Sequence, residues 1–422
     1  MSETTSAPRP PIPGPIRALL LARFLITVGV VCQVTIVGKQ VYDITGSALD
    51  LGLLGLAEFL PTALLSPITG SVADRFDRRK VLLGGLLGEG AAALALALLA
   101  EGSSTSVAPI FVVVFVFGVA RAIVSPPIRA LPVDLAPAGM VERILAAITL
   151  TFQIGAIIAP VIAGFLYVVS PATPYWFTLA MLVAGWFTLA LFVPSVAVSR
   201  LAAPAGIRGA LHDAFEGLRF VVHTPVLFGA IALDLFAVLF GGAVALLPII
   251  ADERLGVGAV GYGWLRASIG IGAASMSLAI AARPITRRIG PVLLSVVALF
   301  GVATIVLGLT TNYVVAFAAL FVLSGADSVS MFIRSAIVPI ATPEHMRGRV
   351  LATEQVFIGA SNELGALESG VAAALIGTVG AVVSGGIGTI IVVGLFWRIF
   401  PDLSKADRFS ELAPTPTAPS TA

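Results

Sequence analysis

The 422-residue chain is 58% hydrophobic and only 11% charged, with a net charge of +2. Soluble domains carry roughly a quarter charged residues, so a water-soluble globule is excluded and a membrane protein with the lipid bilayer as its main partner is expected. Near-neutral charge offers no basic face for nucleic acid, and the single cysteine, Cys32, can make neither an intramolecular disulfide nor a cysteine metal site.

In chain order, residues 1–15 form a polar, Pro-rich stretch without the compact apolar core of a signal peptide, expected to be a disordered cytoplasmic leader. Allowing about 20 apolar residues per crossing, the first six spans fall near 18–38, 49–72, 82–100, 107–127, 145–167 and 174–194. Residues 195–223, carrying Arg200, Arg208, Asp213, Glu216 and Arg219, are expected to be an amphipathic cytoplasmic linker. Six more spans follow near 224–250, 260–282, 291–309, 314–336, 352–376 and 379–397, and 401–422 is expected to be a disordered cytoplasmic tail. The predicted domains are therefore bundles over 16–194 and 224–400 joined by the linker. The runs are continuous rather than alternating, which excludes a β-barrel and leaves an all-α fold.

Charge supports this topology. Of 25 Lys and Arg, only Lys39 and Arg254 fall in outside loops and Arg23, Arg121 and Arg266 inside spans; the others are expected on the cytoplasmic side, where cations are retained. Both termini are then cytoplasmic, in a cell inner membrane. The halves also echo one another. Ile128-Arg129, Pro137, Met140 and Arg143 follow the fourth span, and Ile333-Arg334, Pro343, Met346 and Arg349 follow the tenth, half a chain later. Two six-helix pseudo-repeats around a central cavity are an architecture of transporters.

The loop between spans 2 and 3 contains Gly70, Asp74, Arg75, Arg78 and Arg79. This spacing resembles the corresponding loop of the major facilitator superfamily, with Asp77 where the family commonly has glycine. The resemblance implies the major facilitator fold, secondary transport by alternating access, and a conformational latch built from these five residues, closing the outward-facing state through the end of span 11 or the linker. Tyr42-Asp43, Gly46-Ser47, Gly55, Glu58 and Pro61, with the span 11 stretch from Gly359 to Gly370, resemble the branch that contains the bacterial enterobactin exporter. That likeness implies export of a siderophore-like or drug-like small amphiphile. In span 5, Gly155, Ala159, Pro160, Ala163 and Gly164 resemble a degenerate antiporter signature; ordinary small-residue helix packing is the alternative.

ATP-driven pumping lacks its phosphate loop, because none of Lys39, Lys80 and Lys405 stands in Gly-Lys-Ser/Thr, and His212, His223 and His345 have no metal-ligand spacing. No enzyme activity, cofactor or metal is expected. The ionisable groups inside spans are Arg23, Glu58, Glu89, Arg121, Asp234, Arg266, Asp327, Glu363 and Glu368. Each costs about 2.5–3.5 kcal/mol at a helix centre and needs a partner or a task. In the family resembled, spans 1, 4, 7 and 10 line the cavity. That implies a substrate site of Arg23, Gln33, Arg121, Asp234 and Asp327, with Phe236 and Phe240 as apolar contacts.

Asp234, Asp327 and Glu363 are the candidate proton carriers, since a low-dielectric wall and a moving arginine can switch a carboxylate's proton affinity. Static ion pairs, Arg121 with Asp327 or with Glu89, are the alternative. Arg121 also resembles a basic position of proton-coupled exporters. The expectation is a proton-coupled exporter, a monomer, with a nutrient importer or a non-transporting receptor or scaffold as rivals.

Overall fold

The computed structural model describes residues 11–102, 106–137, 139–195 and 207–412. In hydrocarbon every backbone N–H and C=O must be satisfied within its own segment, and the long apolar runs accordingly fold as helices. The first six are α1 (Gly14–Thr45), α2 (Ala48–Arg75), α3 (Arg78–Glu101), α4 (Ala108–Leu135), α5 (Val141–Val169) and α6 (Thr173–Phe192). A linker helix, α7 (Ile207–His223), precedes the second set: α8 (Pro225–Arg254), α9 (Gly258–Ala282), α10 (Ile289–Leu309) and α11 (Tyr313–Ile340).

The run Arg347–Ile399 is divided by Gly377, whose φ of 79° only glycine adopts readily, into α12 (347–376) and α13 (378–399). Among the described residues this gives twelve helices of membrane-spanning length in two sets of six, as the sequence predicts. Short polar residues set the boundaries. Ser47 caps α2 by accepting from the Asp50 N–H, and the Asn312 side chain accepts from the N–H groups of Val314 and Val315 at the start of α11.

Two sequence expectations change. Arg129 and Arg334 do not lie in loops beyond the fourth and tenth spans: α4 runs on to Leu135 and α11 to Ile340, so both arginines are helical and Arg334 is 3% exposed. Residues 401–412 also do not trail as a tail. Pro401–Ser404 and Phe409–Leu412 form short helical turns, Leu403 is buried in the core of the second bundle, and Asp407 docks on the α9–α10 connection.

The halves pack on one another through α2 against α12, α5 against α9, and the end of α1 against the end of α8. A Cβ at Gly164 would lie 2.5 Å from the Ala259 carbonyl oxygen, and one at Gly370 would lie 2.8 Å from that of Ala48. Glycine is therefore what lets these backbones touch. These contacts, and that of Gly52 with Ala366, lie toward the ends of the helices remote from the chain termini, while Gly270 meets Ile157 near the middle of α9 and α5. The two halves are closed together at that face.

Candidate transport site

Between the closed ends and the terminal face lies a cavity of about 390 Å³, lined from both halves by α1, α2, α8, α9, α10, α11 and α12. Its wall is mainly apolar and small, with Val37, Leu54, Gly55, Val238, Gly241 and Phe300 among the lining residues. Four acidic or basic side chains line it: Glu58 from α2, Arg266 from α9, Asp327 from α11 and Glu363 from α12. Glu363 reaches across the boundary, since a Cβ at Gly55 would lie 2.6 Å from its Oε2. Arg121 and Arg266 are both within electrostatic reach of Glu58, and Glu58 is within reach of Glu363. A cavity holding three carboxylates and one guanidinium can exchange protons and hold a ligand of mixed polarity.

Asp327 and Glu363, two of the expected proton carriers, thus line the cavity. Asp234 lies behind it, 2.7 Å from Arg334 in an ion pair wholly within the second half. Arg121 pairs with buried Glu89 at 3.5 Å, as one alternative anticipated, and not with Asp327. Arg23 donates to the Ile128 carbonyl oxygen of α4, and Gln33 is buried within the first half; neither is among the cavity residues. Phe236 and Phe240 are corrected too. From Asp234 they lie about 200° and 240° around the helix, whereas Val238 lies only about 40° away. They stack on each other and pack on Phe396 and Gly388 of α13, away from the cavity.

The loop arginines are engaged inside the first half. Arg78 donates from its Nη1 to both carboxylate oxygens of Asp134, at 2.6 and 2.7 Å, and Arg79 donates to the carbonyl oxygens of Leu189 and Ala190 at the end of α6, where the helix dipole favours a cation. Asp77 caps α3, accepting from the Arg79 N–H at 2.9 Å, a task glycine could not perform. Arg75 is exposed, Gly70 lies in α2 with open space around its Cα, and the Asp74 side chain lies outside the described residues. In α5, Gly155 packs on Thr27 of α1, Ala159 and Ala163 are buried, and Pro160 and Gly164 meet Gly263 and Ala259 of α9. That stretch is the small-residue seam between halves.

Sequence reasoning missed the charges at the closed face. Lys39, expected in an outside loop, is in α1 and 5% exposed; it bonds Asp43 of its own helix and Asp252 of α8, the latter at 2.7 Å. Beside it the Tyr42 hydroxyl donates to Glu253, and Tyr262 of α9 donates to the Thr35 carbonyl oxygen of α1 at 3.0 Å. The spacing Lys39-x-x-x-Asp43 was the available signal, one turn apart on one helix face.

The Major Facilitator Superfamily family model matches residues 19–366. The chain belongs to that superfamily. This major facilitator protein is similar to the enterobactin exporter EntS of Escherichia coli O1:K1, 27% identical over 417 residues and 95% of each chain. Its fold is similar to that of a mutant of the nucleoside transporter NupG, with TM-score 0.73, 15% identity, and 91% of this chain and 99% of that one covered. It is likewise similar to a bacterial homolog of the human lysosomal transporter Spinster in an inward-facing, unoccupied conformation: TM-score 0.69, 15% identity, 95% and 98% covered. The chain is a multi-pass membrane transporter of small molecules and not an enzyme.

Proposed function

We propose that this transporter exports a small amphiphile across the bacterial inner membrane in exchange for inbound protons, with both termini cytoplasmic. The observation that carries the reading is the cavity between the halves, where Glu58, Asp327 and Glu363 share one apolar space with Arg266. Carboxylates in such a space are costly unless a proton or a ligand neutralises them, so emptying and filling the cavity changes their proton affinity. Closure remote from the termini is what a state open to the cytoplasm requires under the positive-inside orientation, and it supports this reading. Similarity to EntS favours export and a siderophore-like cargo. The three acids equally suit a drug-like cation, which is the second reading.

Inverted membrane vesicles acidified by respiration test it. Catecholate siderophores and then lipophilic cationic dyes are added while lumen pH is followed. Proton release on adding one class is the expected result and names the cargo; silence toward both, with inserted protein, would favour import or uniport instead.

A further inference from the structure

Behind Asp327, away from the main cavity, lies a void of about 10 Å³, room for a single water. Asp234, Asp327 and Ser330 line it, and its other walls, including Val296, Val297 and Phe300, are apolar. Ser330 is 3% exposed and its Oγ has no partner among the described residues, nor has Nε of the neighbouring Arg334. A buried hydroxyl without a partner costs about 1–3 kcal/mol. On α11 the residues Asp327, Ser330 and Arg334 are spaced i, i+3, i+7, so all three present to one helix face. That face is turned to Asp234 of α8, which Arg334 holds at 2.7 Å. Asp327, Val238 and Phe300 border both the void and the main cavity, so Asp327 stands between them.

We infer that this void is a built site for one water molecule that relays a proton between Asp327 and Asp234, positioned by Ser330. Three oxygen-bearing side chains meet the two to four partners a buried water takes. They are too few for a metal cation, which would need the apolar walls to supply the remaining oxygens. In the relay, the Asp327 carboxyl gives its proton to the water as the water gives another to Asp234. The water is regenerated, Asp327 is left as carboxylate, and Asp234 becomes neutral while Arg334 keeps its charge. The charged groups facing the site are Asp234, Asp327, Arg334 and, from α12, Glu354, which acts on both Asp234 and Arg334. The inference rests on the proton-coupled reading above and adds to it an inner proton acceptor outside the substrate cavity.

Infrared difference spectra between acidic and alkaline pH, taken on the purified transporter in lipid vesicles without any substrate, test it. A water O–H band that shifts in 18O-labelled water is expected, together with a carboxyl band that Asp327→Asn removes. Ala326→Val, which fills the void from its wall and leaves Ser330 in place, is expected to abolish the water band; Ser330→Val serves if that variant does not fold. Ser330→Ala is expected to keep the void and move the pH midpoint of the carboxyl band. A water band unchanged by filling the void, or a changing carboxyl band with no labelled-water band, would overturn the water site. Carboxyl bands that do not change with pH would overturn proton transfer to these acids altogether, and with it the coupling reading.

Discussion

Lys39 of α1 and Asp252 of α8 form an ion pair at 2.7 Å that ties the two halves of the transporter at the face remote from its termini. Only 6% of the Lys39 side chain is exposed, and Asp43 shares its ammonium. To open that face the halves must part there, so this pair opposes opening. Asp252 and Asp43 are 27% and 34% exposed, so water offsets part of the about 3–5 kcal/mol that stranding a fully buried charge costs. Lys39→Met leaves two carboxylates side by side, and the closed face is expected to spread. Spin-label distances between the turns at Ser47 and Gly256 are expected to shift to longer values in Lys39→Met and less in the more exposed Asp43→Asn. Unchanged distances would show that the pair does not hold the gate.

The glycine seam makes a separate prediction. A side chain at Gly164 meets the Ala259 carbonyl, whereas one at Gly84 meets nothing within 4 Å. Gly164→Val is expected to destabilise the closed state by about 1–3 kcal/mol, the usual cost of overpacking. Gly84→Val, facing open surface, is expected to stay within about 0.5 kcal/mol of the parent. Thermal unfolding in detergent compares the two directly.

The Asp234–Arg334 pair should behave as a buried charge pair, since the side chains are 8% and 4% exposed. Arg334→Met is expected to lower stability by about 3–5 kcal/mol, and the double variant Asp234→Leu/Arg334→Met to recover most of it. A double variant no more stable than Arg334→Met alone would mean that the stranded acid is not the cause.

Asp407 docks the end of the chain on the α9–α10 connection, accepting from the Arg288 N–H at 3.0 Å and from the Arg287 side chain at 3.2 Å. The Arg288 N–H first, then the Arg287 and Arg408 guanidinium groups, hold its carboxyl below the usual aspartate range. A lowered folded value means that docking is fully supported above the unfolded value of about 3.9 and is lost as pH falls through the folded one. The protection factors of residues 401–412 against hydrogen exchange are therefore expected to be flat from neutral to mildly acidic pH and to fall only below that. Asp407→Asn is expected to lower them at neutral pH.

The bilayer made most of the fold legible in the sequence. Each apolar run long enough to cross became a helix, and the break expected between residues 376 and 379 falls at Gly377. Local chemistry was legible too: Glu89 met Arg121 because both stand at similar depth on adjacent helices. What escaped was set by helix rotation and by contacts between halves. Phe236 and Phe240 are expected as apolar contacts because they stand on a cavity-lining span, yet the helical period turns them to α13. Arg334 was read as a loop cation because arginine at a span's end usually is one, and only the fold supplies Asp234 as its partner. Glu58, Arg266 and Glu363 come from three helices in both halves, and their convergence on one cavity has no local sequence signature.

The central claim is that the cavity acid Asp327 carries the coupling proton. Once vesicle assays have named a cargo, purified protein in liposomes separates coupling from translocation by comparing accumulation driven by a pH gradient with counterflow at equal pH. Asp327→Asn is expected to keep counterflow within about twofold and to lose gradient-driven accumulation by at least about tenfold, near 1.4 kcal/mol of lost driving force. Gradient-driven accumulation surviving in Asp327→Asn at the parent level would contradict the account.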